Sequence, residues 1–317
     1  MSGYTGLIKK FPVNRPLSKQ DFKYHLDQGK RLDVNPYADL MVIKLNSTYL
    51  EVVDKYFQGK GFLSLMVLAS SIVVFVFGGA IFSVVADEIV KIDPDETHVN
   101  FGIVMGAVAV LFGVGVTWFG RVEWRGYTHY PIRLNHKTQM VHVFRKDGSV
   151  LSVPWTDLYF TLDYDFSYFR FWHIHGHVLA DDRETVLETF ALGMSGDVSH
   201  GGIRLLHAHW EFFRRYMAEG PESVASYVRQ AMPVDGKRES FRSGYEVIMS
   251  ELRYDHPVAD IFRALLWPFF FLQSLVRWVV MRTSKMPRWP EDIEAVNKVS
   301  PNDPYDIDSR INPPELR

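Results

Sequence analysis

Residues 62–86 run for 25 positions without one ionisable side chain, and residues 101–120 form a second such run of 20. About 20 helical residues cross the ~30 Å hydrocarbon core of a bilayer, so each run is long enough to span. A helix in a soluble core normally keeps a polar face, and neither run has one. The pattern therefore predicts a transmembrane hairpin over 61–120. From Tyr130 the pattern changes to short alternating runs at 131–134, 139–144, 150–153, 158–162, 171–179 and 185–192, with Asp147-Gly148 as a hairpin turn signal. These predict a meandering antiparallel sheet, curved or barrel-like, over 121–201.

Helical periodicity takes over at 202–256. Ile203, Leu206, Trp210, Phe213 and Met217 recur at spacings of 3, 4, 3 and 4, and Gly220-Pro221 ends one helix and opens the next turn. A further helix is expected over 238–253. Residues 258–281 are hydrophobic enough for a third span, but Asp260, Arg263, Ser274 and Arg277 fall near one helical face and both flanks are basic. The favoured reading is an amphipathic helix, within 257–285, lying in the membrane plane or re-entering it on the cytoplasmic side. Residues 286–317 hold six of the 16 prolines and read as an extended, flexible tail. Residues 1–60 read as an N-terminal cytoplasmic segment.

Charge orients the hairpin. Residues 1–60 carry ten Lys/Arg against six Asp/Glu, and Arg121, Arg125, Arg133 and Lys137 follow the second run with only Glu123 opposing. The connecting segment 87–100 instead carries Asp87, Glu88, Asp93, Asp95 and Glu96 against Lys91 alone. The positive-inside rule places both termini and the main domain in the cytoplasm and the loop 87–100 in the periplasm. Gly102 and Gly106 make one GxxxG step, which suits close packing within the hairpin or, as the sharper reading, a homodimer face. Neither span carries a charge, so the hairpin reads as an anchor rather than a transport path.

Whole-chain composition conceals this. The chain has 317 residues, 35 Lys+Arg, 37 Asp+Glu and no Cys, and a mean hydropathy of −0.07. Without Cys there is no disulfide scaffold, thiolate metal site or thiol nucleophile. A net charge of −2 argues against nucleic acid as a partner.

Candidate chemistry is sparse. His173, His175 and His177 project from one face of a strand and are the one metal candidate, with His207 and Glu211 on the next helix as additional ligands. No HExxH, GxSxG, GxxxxGK[ST] or GxGxxG pattern occurs. Asp157, Asp163, Asp165, Asp181 and Asp182 lie in or beside turns, where Asp serves local backbone hydrogen bonding. The Gly-rich stretch 193–202 reads as a connection before a helix. No catalytic or cofactor-binding residue is assigned. Trp155, Trp210, Arg214 and Arg215 are the candidates for a partner-docking face.

The order of elements resembles bacterial pleckstrin-homology-like membrane proteins. More specifically, HYPIRLNHKTQMVHVFRKDGSVLSVPW (129–155), HVLADDRETVLETFALG (177–193) and WEFFRRYMAEGPESV (210–224) resemble a bacterial domain-of-unknown-function family of inner-membrane proteins with a transmembrane hairpin. Members are often encoded near type VI secretion effectors. The positions that carry the likeness are Tyr130-Pro131-Ile132-Arg133, Asp147-Gly148, Pro154-Trp155, Trp210 and Gly220-Pro221.

The resemblance implies a non-enzymatic inner-membrane protein that binds a secreted effector or a secretion component, as immunity protein or adaptor. The alternatives are a membrane-anchored metal-dependent hydrolase using the three histidines, and a lipid-sensing pleckstrin-like module using Lys137, Arg145 and Lys146.

Overall fold

A computed structural model describes residues 11–89, 96–164, 171–250 and 257–317. Much of the acidic loop, and the last residues of the helix expected over 238–253, lie outside the described residues. In chain order the strands are β1 (Arg15–Pro16), β2 (His25–Leu26), β3 (Val42–Leu45), β4 (Tyr49–Val52), β5 (Ile132–Asn135), β6 (Met140–Phe144), β7 (Val150–Pro154), β8 (Leu158–Tyr164), β9 (Trp172–Leu179) and β10 (Thr185–Gly196). The helices are α1 (Lys19–Lys23), α2 (Phe62–Ile89), α3 (Glu96–Trp124), α4 (His200–Glu219), α5 (Phe241–Ser250), α6 (Pro257–Thr283) and α7 (Glu291–Val296).

The chain is α+β, with two five-stranded antiparallel sheets ordered β3-β4-β5-β6-β7 and β1-β10-β9-β8-β2. All six strands expected after Tyr130 are present. They do not form one meander: it breaks at a short 3-10 turn, Trp155–Asp157, and β8 starts a second sheet. Residues 11–60 contribute two strands to each sheet, which their reading as an N-terminal segment did not include. Sequence-local pairing cannot reveal this, because β4 pairs with β5 in register Tyr49↔Asn135 to Val52↔Ile132, across the entire α2–α3 hairpin.

The core lies between the sheets and α4. Trp155 stacks on Trp210 with centroids 5.5 Å apart, and Phe160 closes on Trp210 at 4.8 Å. Ser199 caps α4 by accepting from the Gly202 amide, and Gly220 stops the helix with φ 84°.

The tail also departs from its reading as a loose extension. Arg133 of β5 sits between the Tyr49 and Trp289 rings at 4.3 and 4.8 Å and pairs with Glu51 at 2.7 Å and Glu294 at 3.2 Å. Further on, Ser47 donates its amide and hydroxyl to Asp303, and Ile307 bridges to Leu45. Asn312 and Ala231 exchange two hydrogen bonds. The prolines make this segment extended, and its polar groups fix it along the sheet.

Among the described residues three helices are long and apolar enough to cross a membrane: 62–87 within α2, 97–124 within α3 and 264–283 within α6. α2 and α3 run beyond the apolar runs and present Phe75, Phe82 and Leu111 outward at 82, 74 and 71% exposure. α6 is inverted relative to a soluble helix: Gln273, Ser274 and Arg277 are buried, while Leu265, Phe269, Leu272 and Leu275 are exposed. That polarity matches a helix whose outer solvent is apolar.

Candidate functional site

The three long helices meet the sheets at one buried polar junction. Lys60 and Gly61 precede α2, Glu123 and Trp124 end α3, and Arg277 and Ser284 lie in and just after the last turns of α6. Glu123 caps α2 from the other helix. One carboxylate oxygen accepts the Gly61 amide at 2.9 Å, and the other accepts the Ser64 amide at 2.8 Å and the Ser64 hydroxyl at 2.5 Å. A carboxylate on the first amides of a helix satisfies donors that have no partner within it and complements the helix dipole. Trp124 Nε1 donates to the same Ser64 hydroxyl at 2.8 Å.

Lys60 donates from Nζ to the carbonyls of Glu123 and Tyr127 at 3.2 and 2.7 Å. Ser284 donates to the Glu123 carbonyl at 3.1 Å. Arg277 holds Glu239 through two bonds of 2.6 and 2.9 Å and donates to the carbonyls of Phe57 and Gln58. Its guanidinium lies 4.6 Å from the Phe57 ring. Gly61, with φ 93°, is required here because a Cβ would strike the Arg277 backbone at 2.6 Å.

Burial shifts the groups beneath the junction. It pushes the Asp54 carboxyl up to about 6, although the Tyr130 and Tyr56 amides and the Lys60 ammonium pull the other way. It draws Lys60 down to about 8, opposed by Glu123 and then Asp54. Burial, assisted by Lys60, holds His129 down to about 3. These are the expected responses of charged forms to low dielectric.

The histidine row is the other polar cluster. His173, His175 and His177 do share a face of β9, with centroids 6.3 and 6.2 Å apart, but that face is buried. The N-terminal segment covers it: Phe11 meets His175 edge-on at 5.0 Å, and Asp21 lies 3.6 Å from His177. Thr189 pairs with His177 Nδ1 at 2.8 Å. Asp21 also accepts from Arg15 and the Ser18 amide, at 2.7 Å each. Burial would raise its pKa, but His177, Arg15 and Ser18 hold the carboxyl well below the usual range. Burial, opposed by Asp21, lowers the His177 value. His175 and His177 have different neighbours, and among the described residues no group of three or more His, Cys, Asp or Glu is placed to hold a metal ion.

A family model described as "Family of unknown function (DUF6708)" matches residues 109–301. The chain belongs to this family. No curated protein and no solved structure matches it. The DUF6708 region begins inside α3 and runs through β5–β10 and α4–α7. It therefore includes Glu123, His129, Glu239 and Arg277, whereas Asp54 and Lys60 lie before it.

Within the DUF6708 region the expected docking residues are structural. Trp210 is fully buried, and Trp155 is buried against it. Arg214 and Arg215 turn inward onto Glu211, at 2.7 and 2.9 Å. Arg215 also donates to the Val34 carbonyl, so the pair fastens residues 32–34 rather than offering a surface. His207 and Glu211 likewise do not complete a metal site, since Glu211 is occupied by the two arginines. Arg145 of the lipid-sensing alternative is paired with Glu188 at 2.7 Å.

The GxxxG step divides. A side chain at Gly102 would fall on Val85, so this glycine seats α3 on α2, whereas Gly106 has open space around it. In the sequence Glu123 reads as the minority charge of a basic flank, and Arg277 as one of the polar residues near one face of a hydrophobic helix. Glu123 as the one acidic residue in a basic flank, and Arg277 as a charge inside an apolar run, were the available signals.

Proposed function

We propose that this is a non-enzymatic bacterial inner-membrane protein whose two-sheet body faces the cytoplasm and binds a protein partner. The observation that carries the reading is the pairing of uncovered apolar faces on α2, α3 and α6 with a polar junction that fixes their ends to the body. Such faces are stable in lipid, and a fixed base sets the body at the membrane surface. The flank charges favour a cytoplasmic body and a periplasmic 87–100 loop.

An in-plane α6 accords with its packing against α5. Phe241 meets Phe271 at 5.7 Å, and Trp267 Nε1 donates to the Tyr245 hydroxyl at 3.1 Å. At 1.5 Å rise per residue, an upright α6 would carry positions 271 and 267 about 18 and 24 Å from its body end, taking the Arg242 and Glu246 side chains of α5 into hydrocarbon. Lying in the interface avoids that cost.

The resemblance of segments 129–155, 177–193 and 210–224 supports a type VI secretion effector, or a component of that system, as the partner. Immunity protein and adaptor both fit. The test is co-purification from detergent with the product of a neighbouring effector gene, together with survival on co-expression. Binding with protection supports the immunity form and binding without protection the adaptor form. Absence of both binding and protection would overturn the reading. The hydrolase alternative is weaker, because among the described residues no group of three or more His, Cys, Asp or Glu is placed to hold a metal ion; metal bound stoichiometrically and lost on replacing the histidines would revive it.

A further inference from the structure

The body ends of α3 and α6 carry a second feature, which rests on the membrane reading above. Arg121, Arg125, Arg282, Lys285 and Arg288 are all exposed. They are brought together because Lys285 exchanges backbone bonds with residues 126–128: the Thr128 amide donates to its carbonyl at 2.7 Å and its amide donates to Gly126 at 2.9 Å. Arg125 follows Arg121 by one helical turn, so the two share a face.

Among the described residues none of the five forms an ion pair, unlike Arg133, Arg145, Arg214, Arg215 and Arg277 elsewhere. The carboxylate nearest in sequence to Arg121 and Arg125, Glu123, is turned inward with both oxygens used by Gly61 and Ser64. Arg282 Nη1 donates to the Trp278 carbonyl of its own helix at 3.0 Å, whereas the Met281 and Ser284 carbonyls at the end of α6 are taken by Arg238, so capping there does not account for Lys285. Arg282 lies over the Trp278 ring at 3.8 Å, an amphipathic pair suited to the headgroup level.

We infer that these five cations form a collar that binds the phosphate groups of anionic phospholipids where α3 and α6 meet the body. Guanidinium groups suit phosphate oxygens through paired donors, and the neighbouring apolar faces bring the headgroup layer to the same level. The occupant is the lipid surface, since cations without carboxylate partners adjoin helix faces that lipid covers.

The test uses the full chain, purified in neutral detergent, delipidated, and titrated with phosphatidylglycerol or phosphatidylcholine while bound lipid is counted by native mass spectrometry. Wild type should prefer phosphatidylglycerol about tenfold, and the preference should shrink at about 0.5 M salt. The combined variant Arg121→Gln, Arg125→Gln, Lys285→Gln should fall to roughly twofold, while Lys19→Gln, Lys30→Gln, Arg183→Gln keeps the full preference. A preference unchanged in the collar variant, or independent of salt in wild type, overturns the inference. Alkaline carbonate extraction separates the two claims. Wild type retained in the membrane without lipid preference removes only the collar; wild type extracted removes the anchor and the collar with it.

Discussion

Arg277 and Glu239 form a two-bond ion pair, 2.6 and 2.9 Å long, in which both side chains are buried from solvent. The pair joins α6 to the segment before α5, and the further bonds of Arg277 to Phe57 and Gln58 tie both to the entrance of α2. Arg277, a charge within the apolar α6 run, is thus withdrawn from the outer surface of the helix and made the pin of the junction.

Removing one partner leaves the other buried and unmatched. Glu239→Ala should cost about 3–5 kcal/mol, read from denaturant unfolding in detergent. Combining Arg277→Met with Glu239→Leu should recover part of the loss, because no charge is then stranded while the Phe57 and Gln58 carbonyls still lack a donor. A single variant within about 1 kcal/mol of wild type would contradict this account.

Glu123 should act as the cap of α2. Glu123→Ala removes the acceptor of two helix amides and should cost about 2 kcal/mol, seen as a lower Tm. Glu123→Gln keeps one acceptor oxygen and should lose less. An unchanged Tm for the alanine variant would show that α2 needs no partner there.

The two helices of the hairpin were legible because they are long uninterrupted apolar runs, and the six strands after Tyr130 were legible from alternation and turn chemistry. Three features were not. β3 and β4 join the sheet through pairing of β4 with β5 across the hairpin, and burial on both faces removes the alternation that marks a strand, although Val42, Ile43, Tyr49 and Val52 flank a polar Asn46-Ser47-Thr48 turn. The tail is held by individual contacts such as Arg133 with Trp289, which composition does not encode. Trp210, Arg214 and Arg215 resembled surface anchors because Arg and Trp are common in interfaces; only the placement of Glu211 shows that the arginines face inward. Of the candidate site, the lone charges Glu123 and Arg277 were visible, but not their partners.

Trp210 should behave as core. Trp210→Ala should destabilise by about 3–5 kcal/mol, whereas Trp210→Phe keeps most of the packing and should leave partner capture intact. If Trp210→Phe folds normally yet abolishes capture, the residue acts in recognition and the core assignment is insufficient.

Acid stability should depend on His129. Its folded value, about 3, lies below its ordinary 6.5, so its contribution is complete above 6.5 and is drawn down as pH falls towards 3. Asp54, raised from 3.8 to about 6, acts in the opposite sense: its folded form gains relative stability as pH falls from 6 to 3.8. The two offset each other in wild type. Between about pH 7 and about pH 5, His129→Gln should therefore gain about 2 kcal/mol relative to wild type, measured by unfolding at each pH. Parallel pH profiles for the two proteins would refute the assignment.

The absence of Cys allows the central claim to be tested with single introduced thiols and no background. Cells carrying Asp93→Cys, Arg183→Cys or Asn302→Cys are treated with a membrane-impermeant maleimide before and after permeabilisation. An anchored protein with a cytoplasmic body predicts labelling at 93 in intact cells, and at 183 and 302 only after permeabilisation. Equal accessibility at 93 and 183 in intact cells would contradict it.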